Sequence, residues 1–392
     1  MIDFYITGGV QLQERRKLMI EIKEVKTRRD FKKFVRFPNE IYKDDPHYVP
    51  PIELDEFNLT NPKKNASFEE SDAIYFLAYK DGKIVGRIAG IISHPFNEKN
   101  NTKYARFSRF ECIDDQEVAD KLIKTIEDWA KEKGMDTVHG PLGFNDLERE
   151  GLMTEGFEYM GTFQGSYNAP YYAKLIENNG YTVDCRWVEW RIPIPEKVNE
   201  RVARVAKVVE QRYGFYEKKF KNKGEVIKKY GKAFFHLLDE CYKDLYGTIP
   251  FNDKLIDQTI GLFNLVLDTD YISLVFNKND ELIGFGLGYP SLAEAMHKAK
   301  GRFMPFGWAR MLKAIAKPKV LELALIAVKP EYQKMGVTAI IINNMLSRMI
   351  ENKIVYADTG SQLETNTAAI ASLDMLEREL IRKKVCYIKK LK

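Results

Sequence analysis

The sequence contains few cysteines and no long apolar run. Its four cysteines, Cys112, Cys185, Cys241 and Cys386, stand far apart without a C-x-x-C pair. This spacing indicates neither a zinc site nor a disulfide framework, and it favours a reduced, cytoplasmic setting. No apolar run approaches the roughly 18 to 20 residues that a membrane-spanning helix needs. We therefore expect no metal cofactor and no membrane span.

A strong charge of either sign is also missing. The chain has 61 Lys and Arg against 56 Asp and Glu, and its net charge of +5 is small for 392 residues. This balance neither implies nor excludes nucleic acid, but no basic stripe interleaved with stacking aromatics is present, so no nucleic-acid partner is expected. A hydrophobic content of 45% is typical of a soluble globular protein. The length predicts two domains.

One strand–turn–helix segment carries the most information. Val320–Val328 reads as a buried strand, and a short turn with Gln333 and Gly336 precedes a helix that runs to about Glu351. Such a turn leaves backbone N–H groups unpaired at the positive end of the helix dipole, which favours anion binding, most naturally of a diphosphate. The G-x-G-x-x-G and G-x-x-x-x-G-K-[ST] fingerprints are both absent, which argues against NAD and ATP.

The motif Gln333-x-x-Gly336-x-Thr338 resembles the Gln/Arg-x-x-Gly-x-Gly/Ala loop of the GNAT N-acetyltransferase superfamily. The resemblance implies acetyl-CoA or another acyl-CoA as co-substrate, whereas the alternative is an ordinary turn between a strand and a helix. Thr338 departs from the usual small residue and could weaken the diphosphate contact. The cofactor-binding residues that the resemblance implies are Ala327, Val328, Gln333, Lys334, Met335, Gly336, Val337, Thr338 and Asn366.

The two halves of the chain show the same order of elements. Each is predicted as one strand, two helices, three strands, and then helix, strand, helix and strand. This order resembles two tandem GNAT domains, a mixed α/β fold, joined near residue 195. We predict a degenerate GNAT-like domain at 19–195 and a GNAT-like domain with the acyl-CoA loop at 196–392. Residues 1–18 are interpreted as an extension or a mis-called start, because a cleaner strand begins at Met19.

The first half lacks the features of a diphosphate loop. Ile113-Asp-Asp-Gln-Glu117 occupies the corresponding position. Its carboxylates would already neutralise the helix dipole, so we expect this domain not to bind acyl-CoA in the usual mode. At the other end of the chain, the basic strand at 383–390 is interpreted as a sheet edge protected by lysines.

A long connection from Gly140 to Tyr167 is rich in glycine and aromatics. Connections of this length are uncommon inside a compact domain and are usually functional or mobile. We expect it to form an acceptor-binding or lid surface, with Glu148, Tyr159 and Gln164 as polar contacts. The alternative is an ordered surface loop packed by its own aromatic side chains.

Glu322 is the candidate general base. It stands in the apolar strand before the loop, so burial should raise its pKa toward neutrality. Its position resembles that of the glutamate base in the histone-acetyltransferase branch of the superfamily. The alternative places Glu322 at the exposed start of the strand, paired with a lysine. The backbone amide of Val328 or Ala327 is the expected donor to the thioester carbonyl.

The tyrosine that often protonates the leaving thiolate in this family has no counterpart in the sequence. Leu373 occupies the place where the family often has a tyrosine. Tyr356, Ser372 or water would substitute for that tyrosine, or the thiolate would leave unaided.

An amphipathic segment at 293–308 interrupts the second half and carries Met and aromatic residues. Packing between the two domains is the favoured interpretation. The alternatives are that this segment covers an apolar acceptor or a long acyl chain, or that it contacts a membrane.

These features predict a cytoplasmic N-acyltransferase that moves an acyl group from acyl-CoA to a small-molecule or peptide amine by direct attack. One alternative is a non-catalytic protein that binds acyl-CoA or serves as an interaction scaffold. Another is an aminoacyl-tRNA-dependent peptidyl transferase, which also uses paired GNAT-like domains.

Overall fold

The computed structural model describes residues 19–392, and the predicted extension at 1–18 lies outside this part of the chain. The described residues form one mixed sheet with helices on its faces. Its strands are β1 (Ile20–Glu24), β2 (Ser71–Lys80), β3 (Lys83–Ser93), β4 (Tyr104–Cys112), β5 (Thr137–Gly140), β6 (Leu152–Glu155), β7 (Thr182–Pro193), β8 (Tyr216–Glu217), β9 (Ile272–Phe276), β10 (Leu282–Pro290), β11 (Val320–Val328), β12 (Tyr356–Thr359), β13 (Gln362–Leu363) and β14 (Glu379–Lys390).

Most helices begin at a polar capping side chain. Asp115, for example, accepts hydrogen bonds from the first N–H groups of the long helix that follows it. The helices are α1 (Arg28–Arg36), α2 (Pro38–Ile41), α3 (Glu53–Leu59), α4 (His94–Asn100), α5 (Gln116–Glu132), α6 (Tyr172–Glu177), α7 (Glu200–Tyr213), α8 (Lys223–Tyr242), α9 (Asp253–Val266), α10 (Ala293–Ala299), α11 (Gly307–Ala316), α12 (Val337–Glu351) and α13 (Thr367–Ser372), with 3-10 turns at Ala66–Glu69, Thr269–Tyr271 and Pro330–Met335.

Two parts of the sheet repeat one pattern. In the first half, β2, β3 and β4 are antiparallel neighbours and β5 lies parallel to β4. In the second half, β9, β10 and β11 are antiparallel and β12 lies parallel to β11. A parallel pair needs a crossover connection, which α5 supplies in the first half and α12 in the second. The predicted mixed α/β fold is confirmed.

Glycines on the central strands let the crossover helices pack closely. A Cβ added at Gly86 of β3 would lie 2.7 Å from Cδ1 of Leu122 on α5. A Cβ added at Gly286 of β10 would lie 2.5 Å from Cγ2 of Ile341 on α12. Side chains at these positions would push each helix off the sheet.

The last strands of the two halves are exchanged. β14, at the end of the chain, lies between β5 and β7. β7, from the first half, pairs in turn with β12 of the second half. The sheet is therefore continuous from β1 to β8 across the region near residue 195.

The position of β14 contradicts the prediction of a basic edge strand. β14 has a strand on each side, and carboxylates from those neighbours match its cations. Lys384 Nζ lies 2.5 Å from Glu189 Oε1 and Arg382 Nε lies 2.5 Å from Glu189 Oε2, with all three side chains 1% exposed. A buried lysine or arginine needs such a partner, and the partner is distant in sequence.

Replacing Glu189 by alanine should destabilise the protein, because Arg382 and Lys384 would remain buried without their shared carboxylate. Removing one partner of a buried ion pair typically costs about 3–5 kcal/mol. Chemical denaturation measures the change in the free energy of unfolding. The matched control is Glu155→Ala, which removes the exposed partner of Lys383 and should cost less than about 1 kcal/mol. Equal losses in the two variants would contradict this account.

Candidate active site between the two halves

A cavity of about 280 Å³ lies between elements of the two halves. Its walls come from the 140–167 loop, from α8 and α12, from β11, and from the chain around β12 and β14. Most of the lining is apolar, as in small-molecule sites generally. The charged side chains in the lining are Asp146, Glu148, Glu150, Glu189, Glu322 and Lys384.

The cavity extends into a gap between β11 and β12. These parallel strands pair only over Val320–Leu323 and Tyr356–Thr359. The N–H of Gly360 still donates to the Leu323 carbonyl at 2.8 Å, and the chain then turns away while β11 continues. Within residues 19–392, the far part of β11 therefore has a strand on only one side. On its other edge the Ile326 carbonyl accepts from the Tyr242 hydroxyl at 3.1 Å, so the N–H groups of that edge are what a bound molecule can pair with.

A β-bulge at Ala324 marks the start of this gap. Leu323 and Leu325 pair with consecutive residues of β10, so Ala324 is the extra residue on β11. A bulge of this kind bends a strand and redirects its side chains, and bulges are frequent next to functional sites. Here the bulge separates the paired start of β11 from its open end.

The open edge of β11 presents the backbone of Val328. The N–H of Lys329 donates to the Ile283 carbonyl on the β10 side. Because successive N–H groups of a strand point to opposite sides, the N–H of Val328 faces the gap and that of Ala327 faces β10. The Val328 carbonyl accepts a hydrogen bond from Gln333 Nε2 at 3.3 Å, which fixes this end of the strand to the following turn.

Glu322 lies in the cavity wall, two residues before the bulge, and is 4% exposed. The Phe163 N–H donates to its two oxygens at 2.9 and 3.0 Å, the Ser291 hydroxyl donates at 2.6 Å, and the Tyr289 hydroxyl lies at 3.4 Å. Burial raises the pKa of Glu322 to about 7, although the hydrogen bonds from Ser291 and Phe163 oppose that rise. Glu322 is therefore buried, as its place in an apolar strand predicts, and does not occupy the exposed, lysine-paired position of the alternative.

The 140–167 loop is fixed to both halves of the chain. It contains β6, which pairs with β14, and the Arg106 guanidinium donates to the Gly143 carbonyl at 2.9 Å. Through Phe163 the loop also holds the Glu322 carboxyl. It is an ordered connection that forms part of the cavity wall.

Two of the three predicted acceptor residues in this loop line the cavity. These are Glu148 and Gln164. Burial raises the pKa of Glu148, against the opposing effect of the Arg109 guanidinium at 3.6 Å. The third residue, Tyr159, is not part of the lining, and its hydroxyl donates to Glu379 at 2.6 Å in an exposed position.

Sequence reasoning missed two further carboxyl groups in the same wall. Burial raises the pKa of Asp146 to about 6 and that of Glu150 to about 8. The three acidic residues from Asp146 to Glu150 are visible in the sequence, but the chain turns at 145–148 and Leu147 also lines the cavity, so no strand periodicity predicts their common placement. Ser291 and Lys384 gave no signal either, because their partners are distant in sequence.

The predicted acyl-CoA loop forms a 3-10 turn at Pro330–Met335 followed by α12. Gly336 has a φ of 83°, in the left-handed region, and a Cβ added there would lie 2.7 Å from Cγ2 of Val209 on α7. Both facts require glycine at this position. Gln333 and Lys334 are exposed, while Ile341, one turn into α12, reaches the cavity lining. The N-terminus of α12 and the cavity are therefore adjacent.

The predicted leaving-group residues are not brought together at the cavity. The Tyr356 ring stacks on the Arg191 guanidinium at 3.9 Å and does not contribute to the lining. The Ser372 hydroxyl donates to the Ala369 carbonyl at 2.6 Å. Asn366 lines the cavity, and its side chain also accepts from the Ala369 N–H at the start of α13.

The corresponding helix terminus in the first half is already occupied by a carboxylate. Asp115 accepts from the N–H groups of Glu117 and Val118 at the start of α5, and Lys80 Nζ lies 2.7 Å from its other oxygen. A diphosphate at this terminus would have to displace the capping carboxylate.

Within residues 19–392, no group of three or more His, Cys, Asp or Glu side chains is arranged to hold a metal ion. No helix in this part of the chain has the length and hydropathy needed to cross a bilayer.

The second half matches a known family. Residues 231–373 match the model of the Acetyltransferase (GNAT) family. The chain is also similar to two bacterial proteins. It is 25% identical over 373 residues to Protein YghO from Escherichia coli K12, covering 92% of this chain and 93% of that protein. It is 25% identical over 321 residues to a bacterial ceramide synthase from Caulobacter vibrioides, covering 79% and 80% of the two chains.

Solved structures show the same architecture. A tandem GNAT protein from the clavulanic acid biosynthesis pathway superposes with a TM-score of 0.57 at 10% identity, covering 95% of this chain and 98% of that one. A GCN5-related N-acetyltransferase from Sphaerobacter thermophilus gives a TM-score of 0.51 at 10% identity, covering 95% of each chain. The described chain therefore has the fold of tandem GNAT proteins, and its residues 231–373 match the GNAT family model.

The raised pKa of Glu322 predicts a defined pH dependence of stability. In the folded state this carboxyl binds a proton up to about pH 7, whereas the unfolded value is 4.5. Folding therefore takes up a proton between these values, and the carboxyl's contribution to stability falls as pH rises from 4.5 to 7. A shift of this size corresponds to roughly 3 kcal/mol.

Glu322→Gln removes this titration. Relative to the native protein, the variant should gain on the order of 3 kcal/mol of unfolding free energy as pH rises through that window. Denaturant unfolding at a series of pH values gives the difference. Glu364→Gln, at an exposed position, is the control and should show no such gain. A constant difference for Glu322→Gln would rule out a raised pKa.

Proposed function

We propose that the protein is an acyl-CoA-dependent N-acyltransferase in which an amine attacks the thioester directly and Glu322 is the general base. One observation carries this proposal: the buried Glu322 carboxyl, with a pKa of about 7, lies in the cavity wall where β11 and β12 separate. A base whose pKa is near the working pH combines a sufficient ionised fraction with a useful proton affinity. The GNAT match over residues 231–373 supports acyl transfer as the reaction class.

The reaction moves one acyl group and one proton. The neutral amine attacks the thioester carbonyl and forms a C–N bond, and its excess proton passes to Glu322 directly or through a water molecule. The C–S bond then breaks, and CoA leaves as a thiolate that takes up the proton. The products are an amide and CoA, and Glu322 returns to its ionised form.

The chain has groups suited to each part of acyl-CoA. The N–H of Val328, at the open edge of β11, is the donor that we assign to the thioester oxygen. The first turn of α12 has unpaired N–H groups and the positive end of the helix dipole, which suit the diphosphate. The apolar side of α12, through Ile341 and Met345, continues from that terminus to the cavity.

The leaving thiolate needs no acid from the protein. Leu373 lines the cavity where a tyrosine hydroxyl is common in the family, and the Ser372 hydroxyl is bonded to the backbone. A free thiol has a pKa of about 8.5, so a thiolate is an adequate leaving group near neutral pH. We therefore propose unaided departure of CoA in place of the role predicted for Tyr356.

The cavity favours a cationic amine with a long apolar part as acceptor. Three carboxyl groups, those of Asp146, Glu148 and Glu150, line it from one loop. Glu150, with a pKa of about 8, is largely protonated near neutral pH, but Asp146, with a pKa of about 6, is largely ionised and attracts an ammonium group before its deprotonation. The rest of the lining is largely apolar. Similarity to the bacterial ceramide synthase supports a long-chain amine and a long-chain acyl group.

Glu322→Gln should lower kcat roughly 100- to 10,000-fold, which is the usual contribution of a general base. In the native enzyme, kcat/KM should rise with pH and level off above about 7, because only the ionised Glu322 accepts the proton. That dependence should vanish in the variant, leaving only the titration of the amine. Steady-state rates with acyl-CoA and a panel of amines, including a long-chain amino alcohol, measure both effects.

The matched control is Glu155→Gln, a carboxylate on β6 that pairs with Lys383 outside the cavity. It should leave both parameters nearly unchanged. An unchanged pH profile in Glu322→Gln would remove Glu322 from the mechanism. Binding of acyl-CoA without turnover on any amine would support the scaffold alternative, and salt-sensitive tRNA binding without a CoA requirement would support the peptidyl transferase.

The site of acyl-CoA binding is tested at Thr338. Thr338→Glu places a carboxylate in the first turn of α12, where it should repel the diphosphate and abolish micromolar binding in calorimetric titration. Gly336 is less suitable for this test, since any side chain there also collides with Val209.

Two variants control this experiment. Thr338→Ala restores the small residue of the family and should bind at least as well as the native protein. Asn344→Glu places the same charge in the middle of α12 and should leave binding unchanged. If Thr338→Glu and Asn344→Glu bind equally well, the diphosphate lies elsewhere.

A further inference from the structure

The chain leaves a cluster of large apolar side chains in solvent just before β11. Met304 is 71% exposed, Phe306 67%, Trp308 47% and Leu312 55%. Trp308 and Leu312 are four residues apart on α11, so their side chains lie on one side of the helix. Met311, on the other side, is buried at 2% exposure. α11 is therefore apolar on two faces, of which one packs on the protein and the other faces solvent.

This exposure is concentrated. Elsewhere in residues 19–392, large exposed apolar side chains occur mainly as single residues or close pairs, such as Val208 on α7 and Val355 before β12. Scattered exposed residues of this kind are normal on a soluble protein, whereas a contiguous group indicates a binding surface.

The same segment is strongly basic. Residues 298–319 include seven Lys or Arg and no Asp or Glu, although the whole chain is nearly balanced. Lys298 and Arg302 pair with Glu294 and Glu53. The other cations are exposed and form no ion pair within the described chain: Lys300, Arg310, Lys313, Lys317 and Lys319.

The predicted packing between halves accounts for only the first part of this region. His297 Nδ1 lies 2.8 Å from the Tyr48 carbonyl, and the Glu53 N–H donates to the Gly301 carbonyl at 2.9 Å. These contacts fix α10 to the first half. They end before Met304, where the exposed cluster begins.

We propose that residues 298–319 form a membrane-binding surface, which docks on an anionic phospholipid bilayer without spanning it. Exposed Trp, Phe and Leu side chains beside unpaired cations are the combination that interfacial helices use, since the apolar groups enter the acyl boundary and the cations meet the headgroups. Charge complementarity selects this occupant. Two copies of a uniformly positive surface would repel each other. Phe306 and Trp308 would also suit stacking on nucleic-acid bases, but Met304 and Leu312, which are 71% and 55% exposed, gain from burial among acyl chains and not from stacking.

The surface is connected to the candidate site at both ends. Ser291 precedes the segment, and its hydroxyl donates to Glu322. Val320 follows the segment, and its carbonyl accepts from the Ser291 N–H at 2.9 Å, so the two ends of the segment meet beside Glu322. Lys317 is five residues before Glu322, a span of at most roughly 18 Å. A bilayer on this surface would lie near the cavity that the proposed function assigns to a long-chain acceptor. Membrane binding itself does not depend on that assignment.

Sedimentation of the full chain with vesicles tests the proposal. The protein should bind vesicles of equal parts phosphatidylglycerol and phosphatidylcholine, bind pure phosphatidylcholine much less, and dissociate as salt is raised. Trp308 is the most exposed of the four tryptophans, so its entry into the interface should shift fluorescence emission to the blue. This shift should be lost in Trp308→Phe.

Two double variants address the two components of the surface. Phe306→Ser with Leu312→Ser removes apolar contact, and Arg310→Gln with Lys313→Gln removes charge. Each should weaken vesicle binding roughly tenfold or more. The control is Arg204→Gln with Lys207→Gln, the same residue types at the same spacing on α7, which should bind like the native protein. Circular dichroism confirms that each variant is folded.

Equal binding to both kinds of vesicle, or equal binding by surface and control variants, would overturn the proposal. So would surface variants that dissociate a dimer or release an RNA oligonucleotide while vesicle binding stays unaffected. Turnover on detergent-dispersed substrates reports separately on the proposed function. Vesicle binding without any turnover would count against the acyltransferase and not against the membrane-binding surface.

Discussion

The pairing of β14 with β7 is the interaction on which the candidate site depends. It brings the C-terminal strand into the middle of the sheet, where the Glu189 carboxylate pairs with both Arg382 and Lys384 out of solvent. On its other side β7 pairs with β12, and this pairing holds β12 next to the gap between β11 and β12. The cavity wall therefore needs strands from both halves. Since the wall combines the 140–167 loop and β7 with β11, β12 and β14, we infer that neither half alone could form the site.

The protonation behaviour of Glu322 follows from the same exchange. Burial disfavours its charged form, and without donors the carboxylate would be too costly to form near neutral pH. The N–H of Phe163 and the hydroxyl of Ser291 supply those donors and bring the pKa to about 7. Phe163 belongs to the loop of the first half. In the first half Asp115 caps the helix terminus where a diphosphate would bind. That half nevertheless contributes the Phe163 N–H, which lowers the pKa of Glu322 in the second half.

Much of this arrangement could be predicted from sequence because its signals are local. The apolar strand with one glutamate, the turn with Gly336 and the following helix are contiguous, and the structure reproduces them with Glu322 buried. The exchange of strands could not be predicted, since it depends on which strand pairs with which across about half of the chain. The prediction of an exposed basic edge at 383–390 was wrong for the same reason, because Lys384 is buried beside a carboxylate that is distant in sequence. Tyr159 in the long loop was a predicted acceptor contact but is hydrogen-bonded to Glu379 outside the lining, while Glu150, which was not predicted, lines the cavity because the loop turns before it.

A net charge of +5 over 392 residues hides a strong local asymmetry. The cations of residues 298–319 are not balanced by carboxylates in that segment, whereas the cavity wall contains five carboxyl groups and one lysine. Among the five, Asp146 has a pKa of about 6 and is largely ionised near neutral pH. The two regions are joined through Ser291 and the start of β11. A cationic exterior attracts an anionic bilayer, and an ionised carboxylate in the cavity wall attracts an ammonium group. The acceptor that we propose, an amine with a long apolar chain, would fit both regions, because its chain would stay in an apolar environment while its ammonium group entered the cavity that contains Glu322.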